Sequence, residues 1–218
     1  MTMADSLHIT SYNCRGLLKT LSKLYVRPDI IGLFDVYDLI FFQETWLAKQ
    51  YLDNCNSLHP NYFSVNVAAV DYSSGLLKGR PHGGVSIFYH RRLSSSVKPL
   101  YFANSDWCVG IDLTVENTSF SLINVYLPYE NRVNDDEYTE KLSILENITD
   151  SFTHSNYAFL GDWNANIKQC EGVRNHCFMI MYRIFVVEMN YFIVENCYPM
   201  IAILMSVKGV DPPVGLIT

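Results

Sequence analysis

At 218 residues the chain has room for one large domain or two small ones and can bury a sizeable core. Apolar residues make up 49%, charged residues 17%, and the net charge is −6, which excludes generic electrostatic attraction as the basis for binding nucleic acid or an anionic membrane. The first ten residues carry neither a basic n-region nor an apolar h-region, and the six cysteines form no CxxC pair, so free thiols in an intracellular, reducing compartment are expected.

Leu7-His8-Ile9-Thr10-Ser11-Tyr12-Asn13 alternates apolar and polar residues and predicts a first strand. Leu17, Leu18, Leu21, Leu24 and Tyr25 recur at helical spacing and predict a helix within residues 17–36. Pro28 limits it, because the residue before a proline is pushed towards extended geometry. Asp38-Leu39-Ile40-Phe41-Phe42-Gln43-Glu44 is apolar on both faces, as a central strand is, and ends in an amide and an acid. Thr45-Trp46-Leu47 is expected to open a short helix, and residues 62–70 a third strand. Residues 78–98 hold Lys78, Arg80, Arg91, Arg92 and Lys98, with His82 and His90 and no acid. Here contact with a polyanion backbone is expected despite the overall charge. Within that stretch Gly83 and Gly84 lead into a strand over 85–89. Further strands follow at 97–102, 107–115 and 119–126, the last stopped by Pro128. The strongest helix spans 135–152, with Tyr138, Leu142, Leu145, Ile148 and Phe152 on one face and Asp136 and Glu137 in its first turn.

Tyr157 to Leu160 reads as a buried strand running into Gly161-Asp162-Trp163-Asn164. A glycine there permits a tight turn or a close approach. In extended chain Asp162 and Asn164 share a face, an acceptor and possible base beside an amide that donates and accepts. Read alone, the pair is a turn former. Beyond Lys168 the composition changes: five of the seven methionines and three of the six cysteines fall in the last 50 residues, with no convincing periodicity. Arg183, Glu188 and Glu195 interrupt the apolar stretch 177–207, against a membrane span.

Four segments carry a resemblance when taken in order: Ser11-Tyr12-Asn13-Cys14-Arg15-Gly16, Phe42-Gln43-Glu44-Thr45-Trp46, Asn124-Val125-Tyr126-Leu127-Pro128 and Gly161-Asp162-Trp163-Asn164. Together they resemble the endonuclease/exonuclease/phosphatase family. Gly79-Arg80-Pro81-His82-Gly83-Gly84 and Phe41-Phe42-Gln43-Glu44-Thr45-Trp46-Leu47 are similar to its non-LTR retrotransposon subgroup, itself like apurinic/apyrimidinic endonucleases. The resemblance implies an α/β fold, a four-layer sandwich of two mixed β-sheets flanked by helices, over residues 1–168. It implies Mg²⁺-dependent hydrolysis of DNA phosphodiesters, with Mn²⁺ as an alternative ion and no membrane partner. Glu44 matches the metal-holding acid and Asn13 the amide beside the metal. Tyr126 matches the tyrosine on the scissile phosphate, Asp162 the acid that orients or deprotonates water, and Asn164 the phosphate-stabilising amide. Arg80, His82 and Arg91 are the expected contacts to DNA.

Two departures shape the functional expectation. Tyr129 stands where repair members have Asn. The family closes its site with Ser-Asp-His on a late strand, whereas Asp211 and His176 are the only later Asp and His here, not adjacent and in reversed order. Residues 169–218 are therefore expected to be a divergent tail, the family's last strands missing, and turnover impaired. An inactive remnant of the fold and a phosphatase of the same fold stay open as alternatives.

Overall fold

The computed structural model describes residues 7–20, 23–69, 82–103, 105–115, 117–128, 135–152, 156–164, 192–194 and 204–206. Its strands are β1 (Leu7–Asn13), β2 (Leu18–Thr20), β3 (Lys23–Val26), β4 (Leu39–Gln43), β5 (Tyr62–Val67), β6 (Val85–His90), β7 (Val97–Tyr101), β8 (Cys108–Val115), β9 (Thr118–Tyr126), β10 (Tyr157–Asp162), β11 (Phe192–Val194) and β12 (Leu204–Ser206). The α-helices are α1 (Pro28–Ile31), α2 (Leu33–Val36) and α3 (Asp135–Asp150), and a 3-10 helix covers Lys49–Ser57.

Two mixed five-stranded sheets face each other, in the orders β11-β1-β4-β6-β5 and β12-β10-β9-β8-β7. In the first, β1 and β4 are parallel and β6 and β5 antiparallel to their neighbours. In the second, β10 and β9 are parallel and β8 and β7 antiparallel. Alternation along each strand sends Ile9, Leu39, Phe41, Ile87, Ile111, Leu122, Ala158 and Leu160 into the space between the sheets. The other faces need cover. Ile40, Phe42 and Phe88 pack with Ile30 and Phe34 of α1 and α2, and Ile123, Val125 and Phe159 pack with Tyr138, Leu142, Leu145 and Ile148 of α3. The result is the four-layer α/β sandwich the motifs imply. No helix among the described residues is long and apolar enough to cross a membrane.

Two local expectations need correction. The helical spacing from Leu17 to Tyr25 is instead the β2–β3 hairpin, and Pro28 opens α1 at its first position, where its missing N–H costs nothing. Tertiary bonds override propensity here: Leu17 N–H donates to Thr45 O at 3.0 Å and Arg27 N–H to Leu17 O at 3.1 Å. Thr45-Trp46-Leu47 is not helical. Thr45 and Trp46 donate to the carbonyls of Gly84 and Gly83, both at 3.1 Å, and Trp46 takes a φ of 55°. Beyond residue 168 the described residues are two three-residue strands, β11 parallel to β1 and β12 antiparallel to β10. An edge strand presents unpaired N–H and C=O groups that even a weakly patterned segment can satisfy.

Candidate active site

The space between the sheets is graded from apolar to charged. Above Ile9, Phe41 and Leu122 the same strand faces carry Ser11, Gln43 and Asn124, all buried. Asn124 of β9 reaches across to the first sheet. Its Nδ2 donates to Phe42 O at 2.9 Å and Ser86 O at 3.0 Å, and its Oδ1 accepts from Gln43 Nε2 at 2.6 Å. Gln43 Nε2 also lies 3.0 Å from Ser11 Oγ. Neutral amides suit this depth, because each hydrogen bond made here replaces one to water without burying charge.

One or two residues further along these strands, and at the end of β10, come the polar and charged groups of the site. Asn13 ends β1, Glu44 follows β4, and Tyr126 and Asp162 are cross-strand partners at the ends of β9 and β10. Asn13 Nδ2 donates to Glu44 Oε1 at 2.8 Å and to Asp162 Oδ2 at 2.7 Å. One amide therefore joins a carboxylate from each sheet. Its orientation follows from electrostatics: the flipped amide would face two carboxylates with its oxygen. Asn13 Oδ1 instead accepts the Arg15 N–H at 3.2 Å. Trp46 Nε1 lies 3.4 Å from the other Glu44 oxygen.

The backbone holds this arrangement under some strain. Glu44 has a φ of 50° and Arg15 of 45°, in the left-handed region that costs a side-chain-bearing residue roughly 1–2 kcal/mol. Glu44 is pinned because its carbonyl accepts Gly16 N–H at 2.7 Å, with the Thr45 and Leu17 bonds on either side. Gly161 has a φ of 146°, and a Cβ there would lie 2.0 Å from Val125 O. The glycine expected to allow close approach does so, letting β10 press onto β9 just before Asp162.

Burial first, and the charge of Glu44 second, raise the Asp162 carboxyl above the ordinary aspartate range, against the hydrogen bonds from Asn13 and the Asn164 N–H and against the nearby charge of Arg15. The Tyr126 phenol is pushed up by burial, by the Glu44 and Asp162 charges and by its hydrogen bond to Glu44, so it stays protonated and donates.

The remaining expected site residues fall differently. Asn164 does not share a strand face with Asp162. The strand ends at Asp162, Asn164 turns to a φ of 45°, its N–H donates to Asp162 Oδ1 at 3.0 Å, and its Nδ2 donates to Leu127 O at 2.8 Å. It forms the turn that orients Asp162. His82 is exposed beside Gly83 and Gly84, at the same end as Glu44. Arg80 lies outside the described residues. Arg91 is not part of this cluster. Because β6 runs antiparallel to β4, Arg91 follows its far end, where it donates to Pro60 O at 2.6 Å and sits 3.9 Å over the Phe63 ring. A run of basic residues in sequence does not say at which end of a strand each will emerge.

For a divalent metal the donor set is oxygen. Glu44 and Asp162 offer carboxylates on one amide bridge, and a hard cation that keeps several waters needs no more than one or two carboxylates. Asn13, expected beside the metal, presents its nitrogen to those carboxylates and its oxygen to backbone, so it orients the acids. Among the described residues no group of three His, Cys, Asp or Glu is gathered to hold a metal. The pair of acids fits an ion such as Mg²⁺, which binds through few protein ligands, and does not fit a closed structural site.

Residues 10–171 match the model of the endonuclease/exonuclease/phosphatase family, and the chain belongs to that family. Its enzymes depend in general on a divalent metal. Among solved structures, an AP endonuclease from Archaeoglobus fulgidus is similar at a TM-score of 0.52 and 15% identity, over 82% of this chain and 71% of that one. A mannosyl-6-phosphatase from Bacteroides thetaiotaomicron gives 0.51 and 14% over 82% and 72%, and a 3′ phosphatase from Neisseria bound to a product DNA hairpin gives 0.51 and 15% over 78% and 68%. These likenesses show the fold. The chain spans 61% and 65% of the length of TDP2 chains from D. rerio and Caenorhabditis elegans. No curated protein matches its sequence.

Neither Arg15 nor Asn124 stood out in the sequence as a site residue. Arg15 lies inside the first motif, and its signal was a cation two residues from the motif Asn in an acidic chain. Asn124 likewise opens the third motif, but as a neutral amide in an apolar strand it had no charge to mark it.

Proposed function

We propose that the chain hydrolyses DNA phosphodiesters as a retroelement-type endonuclease, using Mg²⁺ or Mn²⁺. The observation that carries this reading is the amide of Asn13 tying Glu44 of one sheet to Asp162 of the other. Asp162 is the base: its carboxylate accepts a proton from water, and burial strengthens its affinity for that proton. Tyr126, kept protonated, donates to a phosphate oxygen. Asn13 holds the two carboxylates apart and in line, and Asn164 fixes the Asp162 rotamer. Glu44 and Asp162 would hold the divalent ion, which when bound neutralises charge on the phosphoryl oxygens. DNA as substrate is supported by the hairpin-bound Neisseria phosphatase of the same fold.

The test is nicking of supercoiled plasmid with Mg²⁺ or Mn²⁺, beside Asp162→Asn and excess EDTA. Relaxed circles from the wild type alone, with metal, support the reading. No cutting above the Asp162→Asn background refutes it and leaves the inactive remnant. A phosphatase reading draws on the same-fold mannosyl-6-phosphatase. Release of inorganic phosphate from a sugar phosphate without plasmid nicking would favour it.

A further inference from the structure

We propose that Arg15 is the substrate-phosphate-binding cation of this site, presented by a loop that Arg27 clamps; the inference rests on the phosphodiester reading above.

Four arginines lie among the described residues. Arg27 pairs with Asp29, Arg92 with Asp38 at 2.7 Å, and Arg91 is spent on carbonyls and the Phe63 ring. Among the described residues the Arg15 guanidinium has no hydrogen-bond or ion-pair partner, although two carboxylates stand nearby. Arg15 is exposed at the mouth of the site, between buried Cys14 and buried Gly16. Its charge reaches Asp162 and Tyr126, lowering the proton affinity of both.

The presentation is built. Arg15 N–H donates to the oxygen of Asn13, the residue that also joins the two acids. Arg27 Nη1 donates to Cys14 O at 2.6 Å and Gly16 O at 3.1 Å, with Arg15 O at 3.4 Å. Asp29 takes the other edge of that guanidinium. Gly16 has a φ of 102°, and a Cβ there would meet the Trp46 ring at 2.8 Å. A non-glycine residue in the left-handed region survives only where its surroundings over-determine it. Here they do, and the outcome is a cation held out to solvent.

A guanidinium meets a phosphate through two parallel N–H bonds. In a chain of net charge −6, a DNA strand approaching these acids needs such a local cation. Arg15 supplies it independently of any metal.

The experiment is fluorescence anisotropy of the full chain with a labelled duplex oligonucleotide in EDTA, across a salt series, for wild type, Arg15→Ala and Arg15→Lys. Arg15→Ala is expected to bind about 3–10-fold more weakly, with a log K against log salt slope shallower by about 0.9, the value of one phosphate contact. Arg15→Lys should recover most of the slope and part of the affinity. Unfolding temperatures of the three guard against a folding defect. Equal affinity and slope for wild type and Arg15→Ala overturn the inference while wild-type nicking leaves the function standing. No duplex binding by the wild type, with no nicking, overturns both.

Discussion

Asn13 Nδ2 stands 2.7 Å from Asp162 Oδ2, and this one bond crosses from β1 to β10, residues 149 positions apart in the chain. The same nitrogen is 2.8 Å from Glu44 Oε1. Removing it leaves two carboxylates without their shared donor. Asn13→Ala is expected to lower kcat in metal by at least about 100-fold, since each hydrogen bond to a charged group is worth about 1.5–3 kcal/mol. Asn13→Asp adds a third negative charge and should lose more. Single-turnover nicking rates check both, and equal rates for wild type and Asn13→Ala would remove Asn13 from the site.

The raised proton affinity of Asp162 has a sign that can be tested in the metal-free protein. A carboxyl whose folded value lies above its unfolded value of 3.8 stabilises the fold fully below that value and loses the contribution as pH rises through the folded value. Near neutrality Asp162 therefore costs stability. Asp162→Asn should be the more stable protein at pH 7 in EDTA, and the gap should close as pH falls to about 4, the unperturbed aspartate range. Urea unfolding of the pair across that range measures it. Saturating Mn²⁺ should restore the wild type and not the variant, by mass action on the native state.

Asn124 predicts a different response, because it binds the sheets together below the charged groups. Asn124→Ala removes the side-chain donor to Phe42 O and Ser86 O, both buried, while Gln43 Nε2 keeps Ser11 Oγ and Phe41 O. One such group left unpaired costs about 1–3 kcal/mol, so a loss of about 2–4 kcal/mol is expected in urea unfolding. Asn124→Asp sets a carboxylate against two carbonyls and should be destabilised most at neutral pH, recovering as acid protonates it. A loss below about 0.5 kcal/mol for Asn124→Ala, the scatter of neutral surface changes, would show that the cross-sheet bonds contribute nothing net.

Much of this was legible in the residues. The run Leu39 to Gln43, apolar on both faces, is the central strand β4, buried throughout. The 3.6-residue spacing of Tyr138, Leu142, Leu145 and Ile148 is the buried face of α3. The motifs found Asn13, Glu44, Tyr126 and Asp162, which converge. What escaped depended on long-range contacts. The Leu17–Tyr25 spacing has helical period, yet backbone bonds to Thr45 and Arg27 hold it as a hairpin. Asn164 repeats the i, i+2 pattern of a strand, but the strand has already ended. Whether Asn13 offers its oxygen or its nitrogen is decided by two acids that sequence cannot place against it.

Arg91 and Arg15 make a paired prediction about charge and position. Both are exposed arginines in an acidic chain, and density of basic residues favoured Arg91. The antiparallel course of β6 carries Arg91 to the end of the sheet away from Asp162. Arg91→Ala should lose the Phe63 stacking and the Pro60 bond, about 0.5–1.5 kcal/mol in urea unfolding. Its DNA affinity and salt slope should match the wild type. If Arg91→Ala flattens the slope, the DNA track runs along the far end, and the site must be reassigned.

Gly161 gives the sharpest packing prediction. A Cβ there would lie 2.0 Å from Val125 O and 2.9 Å from Val125 N, in backbone of the neighbouring strand, and the φ of 146° is itself unfavourable to a side chain. Backbone cannot move aside as a flexible side chain can. Gly161→Ala must push β10 off β9 one residue before Asp162, where Asp162 O accepts Leu127 N–H at 2.9 Å. Such overpacking costs about 1–3 kcal/mol or more. It should also slow nicking, because it displaces the base relative to Asn13 and Tyr126. Gly32, with nothing within 4 Å of its Cβ position and a φ of −64°, is the control. There alanine fits the native backbone and restricts the unfolded chain, so Gly32→Ala should gain about 0.4–1 kcal/mol and leave the nicking rate unchanged. Urea midpoints and nicking rates of the two variants, measured together, separate close approach at Gly161 from a general effect of replacing glycine. Equal stability for both would mean that β10 and β9 do not meet as closely as the Gly161–Val125 contact requires.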